Sequence, residues 1–192
     1  MKLRLADIVD IRTGFPFRGK VIHDPAGTLA VVQMKDVDES AGLSGVGTLR
    51  IEDDPKRHRR HLLQRGDVLL QSRGHKFPCT AVDQDIHGIA ALGLYVLRPS
   101  GAVLPDYLVW VISHPTTRAN LQAISRGTYI PFLAKADLDE LRVPVPPFAE
   151  QHRIAEIARL LRTETRLSVR LQNLRSQLVD ATTWRAATAK NH

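Results

Sequence analysis

The side chains in this sequence that could do chemistry are histidines, paired carboxylates, one thiol and a surplus of cations. Their spacing decides which chemistry is open. The eight histidines, His23, His58, His61, His75, His87, His114, His152 and His192, show no HxH or HxxxH spacing. His58 and His61 lie three apart, but inside the run KRHRRH, whose charge repels a divalent ion. Asp53-Asp54 and Asp83-Gln84-Asp85 are acidic pairs of the kind that holds Mg²⁺ for in-line attack. No PD…ExK nuclease spacing accompanies them, so they read as solvated turns. Cys79 is the sole cysteine, which excludes an internal disulfide and a CxxC metal knuckle and predicts a buried or idle thiol. The glycines from Gly42 to Gly47 fit neither GxxxxGK(S/T) nor GxGxxG, so no phosphate-cradling loop is predicted. These patterns supply no catalytic residue and no metal site.

Val145-Pro146-Pro147-Phe148 superficially resembles the (D/N)PP(F/Y) motif of amino-methyltransferases. The first position of that motif must hydrogen-bond the target amino group, which valine cannot do, and no FxGxG cofactor loop is present. Methyl transfer by this chain itself is not expected. What remains is charge: 27 lysines and arginines against 20 acids leave +7, which points to a polyanionic partner. An anionic membrane surface or an acidic protein satisfies the charge equally.

A chain of 192 residues with 43% hydrophobic and 24% charged content fits one globular domain plus an appendage, or one large domain. The longest apolar run, Gly88 to Leu97, is far short of the ~20 residues that span a bilayer, and MKLRLADIVD lacks a secretory h-region; a cytoplasmic location is expected. LRLADIVDI reads as a short helix or strand ending at the turn in TGFPFRGK. Phe15 and Phe17 there either stack on a base beside Arg18 and Lys20 or plug the core. Strands are predicted at Thr28–Met34, Val68–Gln71, Phe77–Val82, Gly88–Ala91 and Leu94–Leu97, with turns at Arg65–Asp67 and Ser72–His75. Short helices are predicted at Pro105–Ser113 and Thr116–Ile124. The mixture gives an α+β body.

From Val143 a proline-stiffened lead-in precedes a run free of proline and glycine. With Ile157 at heptad position a, Leu171 and Leu178 fall at a, and Leu160, Leu167, Leu174 and Ala181 at d. Ile154 and Leu161 at e widen the seam near its start, and Glu164 and Arg185 are polar seam positions. A helix of this extent is roughly 55–60 Å long. It is expected either as a projecting arm that pairs with another helix or as a helix folded back on its own domain.

LADIVDIRTGFPF, VVQMKDV, LQRGDVLLQSRG and the segment from Gly127 through LAKADLDELRVPVPPFAEQHRIAEIARLL resemble, in order and spacing, the specificity subunit of type I restriction-modification systems. The resemblance implies a target recognition domain at residues 1–147 and a helical spacer at 148–192. It implies a non-catalytic subunit with no cofactor of its own, reading double-stranded DNA for a separate methyltransferase that binds S-adenosylmethionine. A restriction subunit is a further partner. Family members commonly carry two domain-plus-helix units, and one unit here suggests a homodimer formed through Ile157, Leu160, Leu167, Leu171, Leu174 and Leu178. Phosphate contacts are then expected from Arg18, Lys20, Lys56, Arg57, Arg59, Arg60 and Lys76, and base-edge contacts from Arg73, His75, Arg126 and Tyr129. A small DNA-modifying or DNA-cleaving enzyme and a coiled-coil adaptor without DNA are the competing readings.

Overall fold

The structure, a computed structural model, describes residues 1–39, 42–44 and 46–188. His192, the last residues of the predicted spacer and Gly45 lie outside the described residues. The stretch KLRLADIVDIRT folds as β1 (Lys2–Arg4), α1 (Leu5–Ile8) and β2 (Val9–Thr13). There follow β3 (Leu29–Val32), a 3-10 turn at Met34–Asp36, β4 (Val37–Asp38), β5 (Gly42–Leu43), β6 (Arg50–Ile51) and α2 (Pro55–His58), which runs on as a 3-10 turn at Arg59–His61. Next come β7 (Val68–Gln71), β8 (Cys79–Ala81), β9 (Gly88–Ala90) and β10 (Leu94–Pro99), then α3 (Pro105–Ser113), α4 (Pro115–Ile124), α5 (Lys135–Asp139) and β11 (Arg142–Pro144). The chain ends in α6 (Phe148–Thr188). The architecture is α+β.

An antiparallel sheet in the order β2-β10-β7-β8 divides the body, and successive side chains must point to its opposite faces. Tyr95 and Leu97 of β10, with Val68 and Leu70 of β7, join α3, α4 and α5 in the larger core. Leu94, Val96 and Leu69 face the second sheet, β6-β3-β9, in which β3 and β9 are parallel. Burial on both faces is why these strands read as continuous apolar runs rather than alternating ones. Asp67, buried at the start of β7, accepts from Arg98 Nε and a terminal nitrogen of β10 at 2.7 and 2.8 Å, tying the two central strands together. Removing one partner of so buried a pair strands the other's charge at a cost of about 3–5 kcal/mol. Cys79 is buried, and that burial pushes its thiol up to about 12, so it is an inert core residue.

The N-terminus clamps the segment that launches the long helix. β1 pairs antiparallel with β11, Leu3 opposite Val143, and Val145 N–H donates to Met1 O at 2.8 Å. Tyr107 OH donates to Pro144 O at 2.8 Å. Gln151, buried in the first turn of α6, uses its whole amide: Oε1 accepts from Leu104 N–H, and Nε2 donates to Ala102 O and Pro146 O. Ala155 and Ala158, small and buried, follow on the same face and allow α6 to lie close against the body. Beyond Thr163 every described residue of α6 is exposed. Over 41 residues the helix is roughly 62 Å long, and more than half of it projects. The helix is not folded back along its length.

Candidate nucleic-acid interface

Four loops meet at one end of the central sheet, and backbone hydrogen bonds fix their order. Phe15 N–H donates to Ala90 O and Leu92 N–H to Phe15 O; Ser72 N–H donates to Gly93 O and Leu133 N–H to Ser72 O. Gly74 N–H donates to Pro131 O at 2.8 Å, and Arg126 and Phe132 exchange both backbone bonds at 2.9 and 2.8 Å. The row therefore runs from residue 15 through 92 and 72 to the hairpin of residues 126–132. Two glycines make it possible. A Cβ on Gly14 would stand 2.0 Å from Ala91 O, so only glycine lets the chain leave β2 against the backbone that follows β9, and Gly127 turns the hairpin at φ +93. Phe77 holds a left-handed φ of 45 with its ring buried, anchoring the far end of the 72–76 loop.

Onto this frame the structure brings Arg73, Arg126 and Tyr129 together. Arg73 is exposed and bridges Phe132; Tyr129, at the hairpin tip, is 94% exposed. Arg126 differs, because its guanidinium fork is filled by Asp137 through two bonds of 2.8 Å, which raise its pKa further. It holds the hairpin base. His75 is exposed, and its carbonyl accepts from Gln122 Nε2 at 3.1 Å. Lys76 turns away to a cleft of about 610 Å³ between body and arm, beside Trp110, Leu161 and Arg162.

The basic run forms a second cluster. Asp54 caps α2 by accepting from Lys56 N–H, with Pro55 in the first helical turn. Lys56, Arg57, Arg59 and Arg60 are exposed, whereas His58 is buried. Asp53 is not a solvated turn residue: its oxygens lie 3.0 Å from His58 Nδ1 and 2.9 Å from His87 Nε2. Burial pulls the Asp53 carboxyl up, and the bonds to His58 and His87 outweigh it, leaving it below the usual range. Phe15 proves to be the core plug, edge-on to His58 and His61 at 5.1 Å and to Phe17 at 4.9 Å, with Arg57 over its ring at 5.8 Å. Arg18 and Lys20 stand exposed beyond it.

Between the basic run and the outer edge of β2 lies a groove of about 600 Å³ lined by Arg12, Thr13, Arg59, Arg60, Gln64 and Lys135. Arg12 is paired with Asp10 and Lys135 with Asp139, but among the described residues no carboxylate engages Arg59 or Arg60. Arg12, Gln64 and Lys135 were not singled out from sequence. The only signal was that Arg12 precedes the Gly14 turn and Lys135 follows the hairpin, so each sits next to the loop row. Among the described residues no group of three His, Cys, Asp or Glu side chains could hold a metal ion, and no helix is long and apolar enough to cross a membrane.

Ile157, Leu160, Leu167, Leu171, Leu174 and Leu178 are each 47–65% exposed along α6. The two e positions turn differently: Ile154 packs on the body core and Leu161 lines the cleft with Trp110.

Solved structures share this architecture. The HsdS subunit from Thermoanaerobacter tengcongensis superposes with a TM-score of 0.66 at 20% identity, over 90% of this chain and 39% of that one. The type I restriction-modification S subunit from M. genitalium gives 0.65 at 14% identity, over 100% and 46%. A chain from a structure on complex assembly and conformational transition of the type I R-M system gives 0.70 at 19%, over 95% and 43%. The chain thus spans less than half the length of these proteins. No curated protein matches it. The model of the type I restriction modification DNA specificity domain matches residues 1–173, and the chain belongs to that family.

Proposed function

We propose that this chain is the DNA-reading subunit of a type I restriction-modification complex and carries no catalysis of its own. Residues 1–147 act as the target recognition domain and 148–192 as the spacer. The observation that carries the reading is the loop row that sets Arg73 and Tyr129 at the sheet end, next to a groove holding two arginines without carboxylate partners. Arg59, Arg60, Lys56, Arg57, Arg18 and Lys20 contact phosphates, with Arg12 and Lys135 added by the groove and Lys76 acting apart from it, from the cleft beside the arm. Arg73, His75 and Tyr129 reach base edges, while Arg126 fixes the hairpin that presents them.

Two copies pair antiparallel through the arm, so the domains are related by a two-fold axis and read an inverted repeat with an untouched gap. A separate methyltransferase brings S-adenosylmethionine and methylates an adenine in each half-site, a restriction subunit joins for cleavage, and the complex works in the cytoplasm. Mapping methylated adenines in a host carrying this chain and its methyltransferase tests the proposal. A symmetric split motif that vanishes when this chain is deleted is the expected result. An asymmetric motif would replace the homodimer by a pair with a second specificity chain, and an unchanged methylation pattern on deletion would overturn the reading.

A further inference from the structure

The 126–132 hairpin leaves apolar surface in water where a folding argument gives no reason for it. Tyr129 is 94% exposed, Ile130 67% and Phe132 41%, and Leu92, 59% exposed, lies in the same row beyond the Ser72 loop. Scattered exposed apolar residues need no explanation, but a cluster on a tight tip does. The hairpin that carries the tip is also braced. The paired Arg126 and Phe132 backbone bonds, the Gly74 to Pro131 bond and the Arg126–Asp137 fork fix its base, and Pro131 stiffens its return. A rigid aromatic tip loses little entropy on insertion. Its surroundings are cationic: Arg73 stands beside Phe132 with no carboxylate partner among the described residues, and the Arg59–Arg60 groove opens two residues beyond Leu133, at Lys135. That charge selects a polyanion, and the part of a nucleic acid that accepts an apolar ring is the face of a base.

We propose that this hairpin is a wedge: Tyr129, backed by Ile130, enters the duplex at one base step and stacks on a base that it unstacks from its neighbour, while Arg73 holds the adjacent edge. The wedge rests on the DNA-reading function above. It adds distortion of the site to contact with its edges.

The test uses the full chain and a duplex selected from a random pool by the full chain, with 2-aminopurine placed at successive positions. Wild type should raise 2-aminopurine fluorescence at one step of each half-site. Tyr129→Ala should abolish that rise and weaken binding roughly 5- to 150-fold, with the slope of log affinity against log salt unchanged because no phosphate contact is lost. Tyr129→Trp should restore the rise and show tryptophan quenching on adding duplex, beyond any change in wild type. Tyr129 is solvent-exposed, so the variants keep the wild-type melting temperature. A duplex bound by wild type with no responsive position, or bound equally by Tyr129→Ala, overturns the wedge and leaves DNA reading intact. Loss of methyltransferase association by Tyr129→Ala with DNA affinity unchanged would make the tip a protein contact and also overturn it. Failure of wild type to select any duplex removes the DNA reading, and the wedge with it.

Discussion

Arg59 and Arg73 are both exposed arginines without carboxylate partners among the described residues, and in the proposed DNA-reading role their settings suit them to different work. Arg59 sits on a solvent-facing turn and lines a groove, a setting that suits a backbone-phosphate contact. Arg73 sits in the loop row, where its fork can meet a guanine edge. Arg59→Ala is expected to weaken binding to all duplexes alike and to lower the salt slope by about one unit, whereas Arg73→Ala should cost about 1–3 kcal/mol at one base position and relax preference there. Parallel titrations against a panel of single-base variants at two salt concentrations check this; identical profiles for the two substitutions would contradict the assignment. The turn that presents Arg59 hangs on Asp53. Because its folded-state pKa lies below the ordinary ~3.9, its bonds to His58 and His87 stabilise the turn at any pH above that ordinary value. The contribution is lost as pH falls through the lower folded value. The amides of Arg57 and His58, which donate to Asp54 O, should stay protected from exchange down to about pH 4 and lose protection below it. In Asp53→Asn, protection should already be weak at neutral pH.

Elements whose cause is local were legible in the sequence. β7 is an apolar run between two turns and was predicted at Val68–Gln71, and α3, opened by Pro105 in its first turn, at Pro105–Ser113. What was not legible depends on partners far along the chain. β1 and β11 are three residues each and exist because Leu3 finds Val143, a pairing that no local pattern announces. The loop row is of the same kind, since Arg73 and Arg126 were singled out separately and only folding lines both up on Phe132. The capture of Arg126 by Asp137 and of Phe15 by His58 and His61 likewise needed the packed body. Gln151 belongs to the most family-like stretch, yet its task, clamping the root of α6 to three backbone groups, appears only in the fold. Gln151→Ala would remove the partner of the part-buried Leu104 N–H and of the Ala102 and Pro146 carbonyls, at about 1 kcal/mol or somewhat more, since water can reach part of this site. Chemical denaturation of the full chain should show that loss, and amides in the first turns of α6 should exchange faster. A midpoint equal to wild type would mean that the arm is held without Gln151, by β1, β11, Tyr107 and the packing of Ile154, Ala155 and Ala158.

The arm is the unusual feature of the protein, because every described residue of its outer half is exposed. Leu167, Leu171, Leu174 and Leu178 repeat at heptad spacing over a face the body never covers, and Ile157 and Leu160 extend that face back to the root. Ala155 and Ala158 occupy the opposite duty, facing the body, so α6 can keep its hold on one side while a second helix lies along the other. In the proposed dimer the arm would do two things for DNA binding: it would join two half-site readers, and its length would set their separation. Leu171→Lys with Leu174→Lys alters only exposed positions, so each body should keep its stability while sedimentation shifts from dimer to monomer. Affinity for a two-half-site duplex should then drop by about 10²- to 10⁴-fold, the loss of tethering, with single half-site affinity unchanged. Inserting seven residues after Leu174 keeps the seam in phase and lengthens the helix by about 10.5 Å. Because neighbouring bases on a strand rise ~3.4 Å, the gap in the methylated motif should widen by about three base pairs. A gap that stays fixed, or a double-lysine variant that still sediments as wild type does, would mean that the two domains are spaced by something other than the paired arms.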